Sequence, residues 1–263
     1  MNKVVLITGA ASGLGWALTQ AFLASGDRVV MADRDQSLLQ RRTTECADRS
    51  SVLAIDCDVT DRQQLAGLMF SVERRFGRMD ILINNAGITH RSSAARTDPA
   101  VLNKVMEVDW RAPLELALLA LPMLKLSRGM IINIGSMAGW MPVPGRAAYC
   151  AAKSALSQFF EVLRLEIEQD GVHVLNVYPS FLDTPIEKNA LGADGQPAEH
   201  ARSTAGNIRS AAWMAGRIHA AALSRRQWLF PDRLSTFASM LWRVWPSLYM
   251  RLIRRRFAAE LQR

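Results

Sequence analysis

Val4-Val5-Leu6-Ile7-Thr8-Gly9-Ala10-Ala11-Ser12-Gly13-Leu14-Gly15 runs from an uncharged, β-branched stretch straight into a glycine-rich turn. A run that is apolar at nearly every position reads as a strand covered on both faces. Glycines at 9, 13 and 15 let the backbone turn sharply and pass close to a pyrophosphate. The helix expected over Gly13–Ala24 offers free N–H groups and the positive end of its dipole to that anion. Glycine spacing alone is a weak signal, since a plain strand-to-helix turn also uses Gly and Ser. Its position between a strand and a helix at the start of the chain raises it to a dinucleotide-binding turn. Gly9, Ser12, Gly13, Leu14 and Gly15 are therefore candidate cofactor-binding residues.

The same alternation continues along the chain. Apolar runs at Arg28–Asp33, Val52–Asp56, Ile81–Asn84, Met130–Gly135 and Val172–Tyr178 are separated by helical patterns at Arg62–Phe76, Val101–Leu126 and Ala148–Gln169. Repeated strand–helix alternation predicts an α/β fold: a doubly wound, mostly parallel sheet of Rossmann type with helices on both faces. Residues 1–230 read as the dinucleotide-binding catalytic domain, with a flap of small residues at about 184–207. Residues 231–263 read as a basic, aromatic helical tail.

With 263 residues, 49% hydrophobic and 21% charged, the chain is long enough to bury a large core, and its composition excludes disorder and collagen-like structure. Three scattered cysteines (Cys46, Cys57, Cys150) make neither a disulfide framework nor a metal site. The opening MNKVVLITGA lacks the long apolar region of a signal peptide, and no run is long enough to span a bilayer. A cytoplasmic location is expected, extending to the membrane surface, with no metal.

Asp33 closes the second strand. A carboxylate there can accept both hydroxyls of an adenosine ribose and repel a 2′-phosphate, which favours NAD. Arg34 follows at once and could pair with that phosphate, so NADP is the alternative. Asp33 could instead cap the helix beginning near Gln36, and Asp58 could either meet the adenine amino group or cap the helix after Thr60.

Together these pieces resemble the short-chain dehydrogenase/reductase family in its single-domain form. The matching residues are the Thr8–Gly15 turn, Asp58-Val59, Asn84-Asn85-Ala86-Gly87, Ser136, Tyr149-Cys150-Ala151-Ala152-Lys153, and Pro179 with Thr184-Pro185. They span about residues 3–225 in the family's order. Tyr149 and Lys153, four apart on one helix, face the same way. The ammonium is expected to lower the phenol's pKa from about 10 toward working pH. Tyr149 is then the general acid/base and Ser136 the hydrogen-bond donor to the reacting oxygen. The resemblance implies that Lys153 also holds the nicotinamide ribose, that Asn85, Ala86 and Gly87 pass close to the cofactor, and that Pro179 and Thr184 meet the nicotinamide carboxamide. It further implies that oxidised nicotinamide helps ionise the phenol. Where the family has an asparagine supporting a water that links the lysine to solvent, this chain has Asp109, which adds a negative charge and lacks an amide donor. Ser180 stands where glycine is common.

Trp140 and Met141 precede the catalytic helix and suggest a pocket for an apolar alcohol or ketone, although packing roles are equally open; His90 is a further candidate for that cleft, with a partly exposed loop histidine as the alternative reading. The tail sets the charge balance. Ala201 to Arg263 hold twelve arginines against Asp232 and Glu260, a net +10, so the first 200 residues carry −2. Leu234, Phe237, Leu241 and Trp245 are expected on one helical face, with Leu248, Leu252 and Ile253 continuing after Pro246. Arginines opposite apolar residues suit a helix lying in a membrane interface. Burial against a second copy is the competing reading, and nucleic acid is not expected. The chain therefore reads as a homo-oligomeric oxidoreductase moving hydride between a nicotinamide cofactor and an alcohol or ketone. The alternative is a non-catalytic dinucleotide-binding sensor or scaffold, against which the intact Ser136, Tyr149 and Lys153 argue.

Overall fold

The computed structural model describes residues 2–199 and 207–258. Its strands are β1 (Val4–Thr8), β2 (Arg28–Asp33), β3 (Val52–Asp56), β4 (Ile81–Asn84), β5 (Met130–Ile134), β6 (His173–Val177), β7 (Leu182–Asp183), β8 (Arg209–Ser210) and β9 (Trp228–Leu229). Seven of them form one sheet in the order β3-β2-β1-β4-β5-β6-β9, with every neighbouring pair parallel. The short β7 and β8 pair separately beside it.

The helices are α1 (Gly13–Ala24), α2 (Gln36–Glu45), α3 (Arg62–Phe76), α4 (Pro99–Met106), α5 (Ala112–Ser127), α6 (Ala147–Glu166), α7 (Ala211–Leu223), α8 (Arg233–Val244) and α9 (Pro246–Arg256). Successive side chains of a strand point to opposite faces, so β1 serves two cores. Val5 and Ile7 pack with Phe22 of α1, Leu39 of α2 and Ile218 of α7. Val4 and Leu6 pack with Leu68 of α3, Leu124 of α5 and Phe160 of α6. Both faces are thus covered, which is why the central strands carry no polar alternation.

The chain leaves β1 toward β2 and β3, then crosses back to β4 on its other side. At such a switch point the loops beyond the strand ends diverge and leave a crevice, here between β1 and β4.

One long helix was expected over Val101–Leu126. The structure instead inserts a π-helical turn, Glu107–Arg111, between α4 and α5. The wider turn re-phases the side chains while both flanking pieces remain helical, and Asp109 lies within it, fully buried.

Two alternative capping roles are also corrected. The side chain of Asp35, not Asp33, accepts the Leu38 N–H at the start of α2. Asp61, not Asp58, accepts from Gln63 and Gln64 at the start of α3.

Candidate active site

The crevice is a cleft of about 590 Å³, within the usual range for small-molecule sites. Gly9, Ser12, Gly13 and Leu14 line one end with Asp33, Arg34, Asp58 and Val59. Gly9 sits at φ +63°, and a Cβ on Gly15 would lie 2.0 Å from the Gly9 carbonyl oxygen. Gly15 is therefore a close-packing point behind the turn, against Gly9 and Asn85, and is not among the residues lining the cleft. Ser12 makes no side-chain bond to the first turn of α1, so that helix end keeps its N–H groups for an anion.

Asp33 fixes the turn from the second strand. Its Oδ2 accepts the Ala11 N–H at 2.9 Å and its Oδ1 the Asp35 N–H at 3.0 Å. Each carboxylate oxygen has a second lone pair to give a ligand. Asp58 Oδ1 is occupied locally by the Thr60 N–H and hydroxyl while the residue still borders the cleft. Asn85 binds the glycine turn, its Nδ2 donating to the Thr8 carbonyl at 2.8 Å. Asn85, Ala86, Gly87, Pro179 and Thr184 all line the cleft. A cradle too tight for side chains, an uncapped helix and a carboxylate at the far end are a donor and acceptor set that fits a dinucleotide.

Ser136, Tyr149 and Lys153 meet at the other end of the same cleft. Ser136 follows β5 and accepts the Ala138 N–H, which holds its side chain at the cleft wall. Lys153 is buried, its ammonium 5.7 Å from the Tyr149 ring centre, donating to the Ile134 carbonyl at 3.0 Å. Beneath it, Asp109 Oδ2 lies 3.1 Å from Lys153 Nζ, and Asp109 Oδ1 accepts the Ile88 N–H at 2.7 Å.

The electrostatics of the chain alone differ from expectation. Burial pushes the Tyr149 phenol above its ordinary value; Lys153, Ser136 and Arg146 pull toward phenolate, while Asp109 pushes against it. Proximity of an ammonium is not enough, because desolvation opposes any new charge and Asp109 already answers Lys153. Burial would lower the Lys153 ammonium, but Asp109 and Tyr149 more than reverse it. Burial raises the Asp109 carboxyl against the pull of Lys153.

On the substrate side, Met141 lines the cleft with Val143, Ile186 and Leu191. Trp140 does not. Its ring packs edge-on against Tyr178 and Phe230, and the Arg243 guanidinium lies 4.0 Å from its centre. His90 does not line the cleft either, nor is it a loop-surface residue. It is fully buried, and its Nε2 accepts the Ala148 N–H at 3.1 Å in the first turn of α6. Burial and then Arg146 push its pKa down to about 4, so the ring is a neutral cap for the catalytic helix.

Two groups of residues escaped the sequence reading. Glu187, in the flap, takes a two-pronged bond from Arg146 (3.2 and 2.9 Å) and a further one from Arg91 (2.9 Å). These pairs tie the flap to the start of α6; Arg and Glu at 41 positions' separation give no local signal. The second group is the tail's inner face: Ala238, Tyr249, Ile253 and Phe257 roof the cleft. The face expected to be continuous is split, with Phe237 65% and Trp245 63% exposed and Leu241 half-buried. The side chain of Leu234 lies outside the described residues, as do residues 200–206 of the flap and 259–263 of the tail. Ser180 lines the cleft and donates to Asp232 Oδ2 at 3.0 Å, joining the loop after β6 to the tail.

This sheet, glycine turn and Ser–Tyr–Lys cluster define a class, the dinucleotide-dependent oxidoreductases of Rossmann type. The chain belongs to the short-chain dehydrogenase family, whose model matches residues 3–194. It is 33% identical over 268 aligned positions to Dehydrogenase/reductase SDR family member 7B of Bos taurus, covering 98% of this chain and 82% of that protein. It is 34% identical over 198 residues to 11-beta-hydroxysteroid dehydrogenase A of Sesamum indicum, covering 74% of this chain and 57% of that one. A solved short-chain dehydrogenase from Streptomyces avermitilis superposes with a TM-score of 0.80 at 30% identity, covering 94% and 95% of the two chains. The protein is accordingly an NAD(P)-dependent oxidoreductase that transfers hydride between the cofactor and a small-molecule alcohol or ketone.

Proposed function

We propose that Tyr149 is the general acid/base of this reaction, on an apolar alcohol or ketone, with NAD as the preferred cofactor. The carrying observation is that Ser136, Tyr149 and Lys153 converge in one cleft with the glycine turn and Asp33. NAD(P), when bound, supplies or takes the hydride. Tyr149 gives its phenolic proton to a carbonyl oxygen, or takes one from an alcohol. Ser136 donates to that oxygen as charge builds on it, and Lys153 holds the phenol's charge and the ribose.

The cleft's apolar wall of Met141, Val143, Ile186 and Leu191 under the Tyr249, Ile253 and Phe257 roof favours a substrate with a sizeable apolar body. The name of the hydroxysteroid dehydrogenase relative points the same way. Asp33, engaged with the turn and carrying a charge that repels a 2′-phosphate, favours NAD, with NADP as the alternative through Arg34.

No helix among the described residues is long and apolar enough to cross a membrane. The outward Phe237, Val244 and Trp245 beside Arg251, Arg254 and Arg255 support peripheral contact with an anionic membrane surface. Exposed Leu118 and Leu119 on α5 and Leu165 on α6 support assembly with a second copy. The test is a panel of alcohols and ketones with both cofactors, followed by nicotinamide absorbance. Turnover of apolar ring or chain substrates with NAD supports the reading; turnover confined to small polar substrates refutes it.

A further inference from the structure

Asp109 introduces a charge that the reaction does not require, at a place where charge is expensive. It is fully buried, lies in the π-turn, and touches the Lys153 ammonium directly at 3.1 Å. A Cβ on Gly87 would lie 3.2 Å from its Oδ2, so the backbone closes over the pair. No bridging group fits between carboxylate and ammonium at that separation.

We propose that Asp109 is a positioning residue that holds the Tyr149–Lys153 pair electrically neutral, so that the site keeps its proton and favours giving one to a carbonyl over taking one from an alcohol. The inference rests on the reading of Tyr149 as the acid/base.

With Asp109 ionised, Lys153 charged and Tyr149 protonated, the cluster sums to zero. Losing a proton then leaves one uncompensated negative charge in a buried place, whether Tyr149 or Lys153 gives it up. An amide at 109 would leave the cluster at +1, and the same loss would bring it to zero. The sign therefore does not depend on how the pair shares its proton.

The other groups facing the phenol do not reverse this. Arg146, on the N-terminal side of α6, pulls weakly toward phenolate and is itself engaged by Glu187 from the flap. Ser136, after β5, is uncharged. His90, beside the first turn of α6, is held neutral by burial. Among the described residues, Lys153 is the charged partner that acts on Asp109, alongside the Ile88 N–H.

The experiment is a near-ultraviolet titration of phenolate in the full chain without added cofactor, paired with the pH profile of ketone reduction. The chain has three tyrosines, so the Tyr149→Phe protein isolates the Tyr149 signal by difference. Asp109→Asn keeps an oxygen for the Ile88 N–H and removes the charge, while turning an amide group toward Lys153. It should move the Tyr149 titration down by about one unit or more, and the high-pH limb of reduction with it. Asp109→Ser should do the same, which separates charge from amide-specific effects and covers a failure of either variant to fold.

If neither quantity moves while Tyr149→Phe is inactive, the inference about Asp109 is wrong and the acid/base reading stands. If the titration moves and the profile does not, the inference is also wrong, because the phenol's proton is not limiting. If Tyr149→Phe retains turnover, the underlying reading fails instead.

Discussion

The Tyr249 hydroxyl, in α9, donates to the Pro142 carbonyl at 3.0 Å and pins the last helices over the loop that leads into the catalytic helix. That loop carries Met141 and Val143 of the cleft wall, so the tail is part of the substrate enclosure. Breaking this bond with Tyr249→Phe should raise KM for an apolar substrate several-fold, with kcat nearly unchanged. A lost buried hydrogen bond is worth about 0.5–1.5 kcal/mol, and its effect falls on binding rather than on the reacting atoms. Steady-state kinetics on the variant checks this.

The outer face of the same tail makes a separate prediction. Phe237, Val244 and Trp245 expose 65%, 81% and 63% of their surfaces and touch none of the cleft. Changing all three to Ser should abolish co-sedimentation with anionic phospholipid vesicles and leave turnover of a water-soluble substrate intact. Undiminished vesicle binding would assign the face to another partner.

His90 gives a stability prediction with a definite sign. Its pKa is about 4 in the folded chain against an ordinary 6.5, so between those values the unfolded state binds more protons. Stability should therefore fall as pH drops from about 6.5 to about 4, by up to about 3 kcal/mol from this residue, and be flat above. His90→Gln, which can still accept from Ala148, should lose that slope. Denaturant unfolding at several pH values measures it.

Asp33→Ala removes the carboxylate at the glycine-turn end of the cleft and its bond to the Ala11 N–H. NAD affinity should drop roughly 10- to 100-fold and the NADP-to-NAD preference should rise, as expected for one charged hydrogen bond. Cofactor titration of the variant decides; an unchanged ratio would remove Asp33 from cofactor choice.

Much of this molecule was legible where the signal is local. Strands buried on both faces are written as unbroken apolar runs, and β1, β2, β3 and β4 begin and end where Val4–Thr8, Arg28–Asp33, Val52–Asp56 and Ile81–Asn84 do. Residues joined by helical spacing, such as Tyr149 and Lys153, were also visible. The π-turn was not, because the inserted residue shifts the register between α4 and α5 while each flanking run keeps its own helical spacing.

Direction was the other blind spot. Trp140 adjoins Met141 in sequence, yet it turns to Tyr178 and Phe230 while Met141 faces the cleft. His90 looked like a loop residue because nothing near it in sequence shows that Leu191 pairs beside it. The Asn84, Asn133 and Asn176 ladder, linked by 2.9 Å bonds across β4, β5 and β6, had a readable signal in matched registers that only a sheet order reveals.

The most direct test of the account is Tyr149→Phe, measured for hydride transfer and for cofactor binding on the same preparation. Removing one hydroxyl should cut turnover by about 10²- to 10⁴-fold while NAD binds as tightly as before. Turnover within a few-fold of the unaltered enzyme would contradict it, because the proton would then come from elsewhere.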